Sequence, residues 1–309
     1  MKKVGFIGLG IMGSPMAVNL LKAGVDLLVD DHHADRVEAV VRAGAQAAKR
    51  SEIGRTCETV FTMLPDGPQV KEAVLGEGGL LDFLRPRSTV IDMSSINPKV
   101  TREIARKLEE QGIEMLDAPV SGGETGAVAG TLSFMVGGRP EVFEKCRSLL
   151  LTMGESAVLC GGPGAGGVVK LANQIMVAAN IAGCSEAFML AKMAGVDLEK
   201  AFEAVRGGLA GSRVLETKVP AMLAGDFTPG FRMELHSKDL RNALEYAHFC
   251  GAPVPLTAQF QEMMTNLCAQ GCEKEDHSGM VKYYARLSGT DLAGGRAFEE
   301  ERWNKKDII

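Results

Sequence analysis

The chain has 309 residues, 46% of them hydrophobic, with 34 Lys and Arg against 39 Asp and Glu for a formal net charge of −5. That length and apolar content can bury a large core and imply roughly two domains. The acidic balance, with no run of Lys or Arg, excludes nucleic acid and acidic membrane surfaces as partners held by charge.

Met1-Lys2-Lys3 passes straight into a short apolar strand, Val4-Gly-Phe-Ile7, which leaves no room for the apolar region of a signal peptide; a cytoplasmic location is expected. The strand runs at once into Gly8-Leu9-Gly10-Ile11-Met12-Gly13 and then into a helix whose face is marked by Met16, Leu20 and Leu21 and whose end is marked by Gly24. Glycines at this spacing between strand and helix serve a dinucleotide phosphate. They allow a tight turn, a close approach of backbone to the pyrophosphate, and close helix-strand packing, while the helix N-terminus offers N–H groups to the anion. A second strand over 25–29 is followed by Asp30-Asp31. Asp31 stands near the spacing at which a carboxylate accepts hydrogen bonds from the adenosine ribose hydroxyls and repels a 2′-phosphate, so NAD is expected, with NADP the alternative. Asp30 competes for the role, and Arg36 is the residue able to cover a 2′-phosphate.

Further strands are expected at 60–63, 90–92, 114–117, 133–136 and 157–160, alternating with helices that include 101–111, ended by Gly112, and 140–153, begun by Pro140 and ended by Gly154. Such alternation specifies a doubly wound, mostly parallel sheet. Leu64-Pro65 and Ser94-Ser95 follow two of the strands on their C-terminal side, where the second half of a dinucleotide would lie. Asp117-Ala-Pro-Val-Ser121-Gly122-Gly123-Glu124 follows another. Its Ser121, Gly122 and Gly123 present consecutive backbone N–H groups suited to a carboxylate, or form a plain turn.

At Gly161-Gly-Pro-Gly-Ala-Gly-Gly167 the character changes, and an apolar helical run over 168–193 follows. Lys170, Asn173, Gln174, Asn180 and Glu186 interrupt it too often for a membrane span. The expected organisation is a nucleotide-binding domain over 1–162, a linking helix over 163–193, a helical domain over 194–292 and a charged tail over 293–309 in which Trp303 is the one large anchor. The helices of the third part are expected at 198–205, 214–223, 235–250, 257–269 and 279–287; in the third of these Leu240, Ala243, Leu244 and Ala247 form an amphipathic stripe. So apolar a linking rod should bury surface against a second copy of the chain, giving a homodimer or homotetramer.

Lys170 is the foremost candidate for chemistry. Expected in the first turn of an apolar helix with Asn173 and Gln174 on its face, it has a desolvated environment and a helix N-terminus nearby, both of which lower an ammonium pKa and suit it to proton exchange with a hydroxyl or carbonyl. The plainer alternative is a snorkelling lysine with capping amides. Lys238 lies off the stripe of its helix and is either a solvated lysine, the reading position favours, or one reaching the cofactor from the second domain, and His277 beside Asp276 reads as a cap or surface residue. Seven scattered cysteines read as reduced thiols, and Cys268-x-x-x-Cys272 lacks further ligands at zinc spacing, so no metal site is expected.

Four segments taken together, Gly8-Leu-Gly-Ile-Met-Gly13, Asp117-Ala-Pro-Val-Ser-Gly-Gly123, Gly164-Ala-Gly-Gly-Val-Val-Lys170-Leu-Ala-Asn173 and Lys238-Asp239-Leu240, resemble the β-hydroxyacid dehydrogenases over residues 2 to about 288. The resemblance implies an α/β Rossmann domain followed by an all-α domain like that of 6-phosphogluconate dehydrogenase, joined by the long helix. It implies Lys170 as catalytic lysine, a carboxylate site at Ser121, Gly122 and Gly123, a substrate amide at Asn173-Gln174, and cofactor contacts at Pro65, Ser95 and Lys238. Many members carry two asparagines after the lysine, whereas this chain has Gln174 as the second. Within the family, Asp92-Met-Ser-Ser-Ile96, Glu124, Lys170-Leu-Ala-Asn-Gln174 and Arg206-Gly-Gly-Leu-Ala-Gly-Ser212 resemble the tartronate semialdehyde reductases, which interconvert D-glycerate and tartronate semialdehyde. The alternatives are the same chemistry on 3-hydroxyisobutyrate or another short hydroxy acid, an imine reductase, and a nucleotide-binding redox sensor without turnover; retention of Lys170 with its amides weighs against the last two.

Overall fold

The computed structural model describes residues 3–293; the charged tail beyond 293, with Trp303, lies outside the described residues. In chain order the strands are β1 (Val4–Ile7), β2 (Leu27–Asp30), β3 (Gln46–Ala47), β4 (Thr59–Thr62), β5 (Thr89–Asp92), β6 (Glu114–Asp117), β7 (Val120–Ser121), β8 (Leu132–Gly138) and β9 (Gly154–Gly161). The helices are α1 (Gly13–Lys22), α2 (Ala34–Arg42), α3 (Arg50–Thr56), α4 (Gly67–Leu75), α5 (Pro98–Glu109), α6 (Gly123–Ala129), α7 (Pro140–Leu150), α8 (Ala165–Met193), α9 (Leu198–Arg206), α10 (Arg213–Ala224), α11 (Met233–Cys250), α12 (Pro255–Leu267) and α13 (Val281–Ser288).

The strands form one nine-stranded sheet in the order β3-β2-β1-β4-β5-β6-β8-β7, with β9 on β8. From β3 to β6 every pairing is parallel, and β8 runs antiparallel to both β6 and β7. The central parallel strands β1, β2, β4 and β5 are buried almost throughout because both of their faces are covered. Phe6, Val29, Phe61 and Ile91 pack on one face, and their chain neighbours Ile7, Leu28, Val60 and Val90 on the other. This is the Rossmann sheet expected, with two additions that sequence reading did not foresee. β3 and β7 have two residues each, too short for any period, and β7 exists only through its pairing with β8.

The register places the site. Asp30, Ile7, Thr62, Asp92 and Asp117, the last residues of β2, β1, β4, β5 and β6, lie side by side across the sheet. The segments that follow them leave from one edge, and the strand order reverses direction at β1, the place where such sheets open a crevice for ligands.

By internal contact the described residues form two compact units, one of 3–173 with 245–252, the other of 174–244 with 253–293. The division falls inside α8 and α11 rather than at the glycine-rich loop. The opening turns of α8 are packed on the sheet, and the end of α11 is held in the first unit, where Asn97 Nδ2 donates to Glu245 Oε2 at 3.2 Å and Lys99 Nζ lies 4.7 Å from the centre of the Phe249 ring. The second unit is all-helical around Ile181, Phe188, Val219, Leu240, Met264 and Met280. α8, 29 residues and about 43 Å long, is the one described helix long and apolar enough to cross a membrane. Its buried Lys170 and Gln174 and its place in the core of the second unit, through Ala178, Ile181, Ala182 and Phe188, make it a core helix.

Candidate active site

The turn between β1 and α1 assigns each glycine a separate task. Gly8 has φ +95°, and a Cβ there would strike the Met63 carbonyl; a Cβ on Gly13 would strike the Gly8 carbonyl, so this pair fixes how closely the helix meets the strand. A Cβ on Gly10 meets nothing within 4 Å. Open space at the middle glycine is what a phosphate passing close to the backbone requires. α1 has neither a side-chain cap nor an acidic residue in its first turn, leaving its N–H groups and positive dipole end for an anion. Leu9 is buried beneath the turn and Ile11 is exposed above it.

The two acids after β2 part company. Asp31 turns back on the glycine turn, accepting from Leu9 N at 2.6 Å and His33 N at 2.8 Å, with Arg36 Nη1 3.9 Å away. Asp30 turns to Arg50, 3.7 Å distant, and burial pushes its carboxyl upward against that arginine's pull. Asp31 is thus the carboxylate beside the nucleotide turn.

At the ends of β4 and β5 a buried chain of hydrogen bonds shapes both loops. Asp92 Oδ1 accepts from Thr62 Oγ1 at 2.8 Å, from Ser94 Oγ at 2.6 Å and from Ser94 N at 3.2 Å, and Ser94 Oγ in turn accepts from Leu64 N at 2.9 Å. Leu64 is thereby tied to Ser94 at the end of the neighbouring strand. Complete burial pushes the Asp92 carboxyl up to about 6 despite those donors.

Asp117 anchors the start of α8. Buried at 3% exposure, it accepts from Gly164 N at 2.7 Å and Gly167 N at 2.8 Å. Burial raises its carboxyl pKa, and the backbone N–H groups oppose the rise. A Cβ on Gly137 or Gly166 would press into this aspartate, which explains those two glycines. Four residues after Asp117, Ser121-Gly122-Gly123 turns from β7 into α6 with φ +137° at Gly122 and +63° at Gly123, a conformation open to glycine and strained for other residues.

Lys170 is 7% exposed. Because α8 begins at Ala165, three residues earlier than sequence reading placed it, the lysine sits in the second turn rather than the first. Asn173 is half-buried and Gln174 is buried. The first unit therefore gathers the glycine turn, Asp31, Leu64, Pro65, Ser95, Ser121, Gly122 and Gly123 at one sheet edge, with Lys170 and Asn173 on the helix that Asp117 anchors there.

Gln174 and Lys238 belong to the second unit, where Asp239 joins them. Gln174 Nε2 donates to Asp239 Oδ2 at 2.7 Å, and Lys238 Nζ lies 3.1 Å from Asp239 Oδ1. The solvated reading of Lys238 is corrected: its side chain is only 11% exposed, because Asp239 beside it is buried and needs a cation. The reading of His277 as a surface residue is corrected as well. It is 6% exposed, and Asp276 alone caps the following turn, through Ser278 N. Sequence reading gave no role to Asp92, Asp239, His236 or His277. The available signal was an acid closing an apolar strand run in the first case; for His236 and His277, 41 positions apart, spacing carries no signal.

Two family models match the chain, the NAD-binding domain of 6-phosphogluconate dehydrogenase over residues 3–162 and the NAD-binding domain of NADP-dependent 3-hydroxyisobutyrate dehydrogenase over 164–284. The chain is 42% identical to 2-hydroxy-3-oxopropionate reductase of Escherichia coli over 291 residues, covering 94% of this chain and all of the relative. It is 38% identical to 2-(hydroxymethyl)glutarate dehydrogenase of Eubacterium barkeri, covering 95% and 98%. Among solved structures, 3-hydroxyisobutyrate dehydrogenase of Mycobacterium tuberculosis with L-serine superposes with a TM-score of 0.86 at 32% identity, covering 92% of this chain and 99% of that one. A nucleotide turn with open space at its middle glycine, a buried lysine on an anchored helix and these whole-length likenesses lead to one conclusion: the chain belongs to the 3-hydroxyisobutyrate dehydrogenase-like family of NAD(P)-dependent β-hydroxyacid dehydrogenases.

Proposed function

We propose that the protein reduces tartronate semialdehyde to D-glycerate, reversibly, with Lys170 as general acid and NAD as the favoured cofactor. The observation that carries the reading is the buried Lys170 on a helix start tied to the sheet by Asp117. Whole-length likeness to the Escherichia coli reductase favours this substrate over other hydroxy acids. The nicotinamide, when bound, supplies the hydride to the aldehyde carbon. Lys170 gives its proton to the oxygen that becomes the hydroxyl, and takes it back in the oxidative direction; such help contributes about 10²- to 10⁴-fold. The N–H groups of Ser121, Gly122 and Gly123 hold the substrate carboxylate, and Asn173 donates to the reacting oxygen's side of the molecule, so that orientation does much of the remaining work. Gln174 acts from one step back, its amide nitrogen committed to Asp239. Gly8 to Gly13 and Asp31 bind the adenosine half of the cofactor, with Asp31 disfavouring a 2′-phosphate; Leu64, Pro65, Ser95 and Lys238 serve the nicotinamide half.

Residues 1–162 are assigned to the nucleotide, 163–193 to the link and 194–292 to substrate and self-association, in a cytoplasmic homodimer or homotetramer. Support for the oligomer comes from Leu190, Met193 and Leu287, exposed apolar residues that line a groove of about 660 Å³ along α8 and α13. A second substrate, 3-hydroxyisobutyrate, is favoured by the structural match to its dehydrogenase.

The test compares initial rates on tartronate semialdehyde and methylmalonate semialdehyde, each with NADH and NADPH, for wild type and Lys170→Ala. The expected result is preference for tartronate semialdehyde with NADH, and loss of most turnover in the variant with NADH affinity kept. Wild-type turnover in Lys170→Ala removes the proton-transfer role.

A further inference from the structure

The second unit contains a buried polar chain for which the reduction just described has no use. His236 is fully buried, and its ring meets that of His277 with Nδ1 to Nδ1 at 2.9 Å. The other nitrogen of His236, Nε2, lies 3.0 Å from the main-chain carbonyl oxygen of Gln174. A carbonyl only accepts, so Nε2 carries a proton. One proton alone fits between two nitrogens 2.9 Å apart. Neutral His236 therefore accepts at Nδ1, and His277 donates from its own Nδ1; the network assigns the tautomer of His236 and the donor nitrogen of His277.

Behind His277 stands Asp276, whose Oδ1 lies 3.9 Å from His277 Nε2. Asp276 takes Lys218 Nζ at 2.9 Å on both oxygens and the backbone N–H groups of Gly230, Phe231 and Ser278 at 2.9, 3.1 and 3.0 Å. The Phe231 ring packs on both imidazoles, 5.8 and 5.4 Å between centres. Two desolvated imidazoles are a costly way to fill space that apolar rings would fill against Phe231 at least as well. What the histidines add is direction. His236 and Asp239 stand three residues apart on α11, on one face, and grip Gln174 of α8 twice, His236 at its backbone oxygen and Asp239 at its side-chain amide.

We propose that His236 and His277 are positioning residues of the reductase. Joined by one shared proton, they hold the turn of α8 that carries Asn173 and Gln174 in the orientation the substrate needs. The proposal rests on the dehydrogenase reading of Lys170 and the amides after it. The pair acts through α8, so its effect falls on the hydroxy acid rather than on NADH.

Three variants test it. His277→Asn sets an amide N–H where Nδ1–H stood and keeps the bond to His236. His277→Phe keeps a ring of similar size and loses the bond. His236→Asn keeps an acceptor for His277 and loses the donor to Gln174. Expected are kcat/KM within about twofold of wild type for His277→Asn, and about tenfold lower for the other two, the scale of one buried hydrogen bond. The Kd for NADH should stay within about twofold in all three. The pairing is overturned by a wild-type-like His236→Asn, by His277→Asn as impaired as His277→Phe, or by NADH affinity falling in step with activity; His236→Asn carries the test alone should His277→Phe not fold. Rates are compared on whichever hydroxy acid the wild type turns over. An active wild type with indifferent variants thus removes the pair and spares the dehydrogenase reading, and a wild type inert on every acid removes both.

Discussion

Alanine at Gly10 and alanine at Gly13 look alike in sequence and should behave oppositely. At Gly13 the new methyl meets the Gly8 carbonyl and the Phe6 ring. That oxygen belongs to the backbone of a turn whose own glycine is held at φ +95° against the Met63 carbonyl, so it has nowhere to go. Overpacking of this kind costs about 1 to 3 kcal/mol, partly offset by the roughly 1 kcal/mol that alanine gains over glycine in a helix. At about 2 to 4 °C per kcal/mol for a unit of this size, the melting temperature of the nucleotide-free protein should fall by several degrees. At Gly10 the methyl enters open space, and stability should hold or rise by about 0.4 to 1 kcal/mol through the unfolded chain. Yet the methyl stands where the pyrophosphate must pass, and NADH should bind on the order of 10- to 100-fold more weakly, about 1.4 to 2.7 kcal/mol. Thermal unfolding without nucleotide and a fluorescence titration with NADH read the two effects separately. NADH binding of wild-type strength in Gly10→Ala, or equal loss of nucleotide-free stability in both variants, would refute the assignment of roles.

Removing the acceptor of Asp117 with alanine leaves the buried N–H groups of Gly164 and Gly167 unmet, at about 1 to 3 kcal/mol each; urea unfolding should show a loss of that order and kcat should drop, whereas Asp117→Asn, which keeps one acceptor, should lose less, and equal effects would count against the anchor. Asp92, whose carboxyl is pushed up to about 6 in the folded chain against 3.8, destabilises the fold while charged, so its contribution improves as pH falls through 6 toward 4. Asp92→Asn should flatten that part of the pH dependence of unfolding and raise stability at pH 7.5 by up to roughly 3 kcal/mol; an unchanged slope between pH 4 and 7 would contradict it. Leu190→Glu, placed on a 72% exposed residue of the α8 groove, should shift sedimentation from dimer or tetramer to monomer, and a wild type already monomeric would dismiss the interface.

Sequence alone carried the Rossmann half of the molecule, because its physics is local. The turn Gly8 to Gly13 needs a particular backbone whatever surrounds it, apolar runs such as Thr59-Val-Phe-Thr62 are what a strand covered on both faces must be, and Gly112 and Pro140 stop and start helices within a few residues of themselves. Lys170 stood out for the same reason, as a cation in an apolar helix. What only the tertiary structure decided are the partnerships between distant segments. β7 is a strand because β8 pairs with it, α8 begins at Ala165 because Asp117 lies there to receive its N–H groups, and Lys238 is drawn largely out of solvent because Asp239 is buried. His277 passes for a surface residue until His236, 41 positions earlier, meets its ring. A hydrogen bond has a geometry that sequence spacing cannot express, and burial depends on what arrives from elsewhere in the chain, so such partners emerge only when the chain is folded.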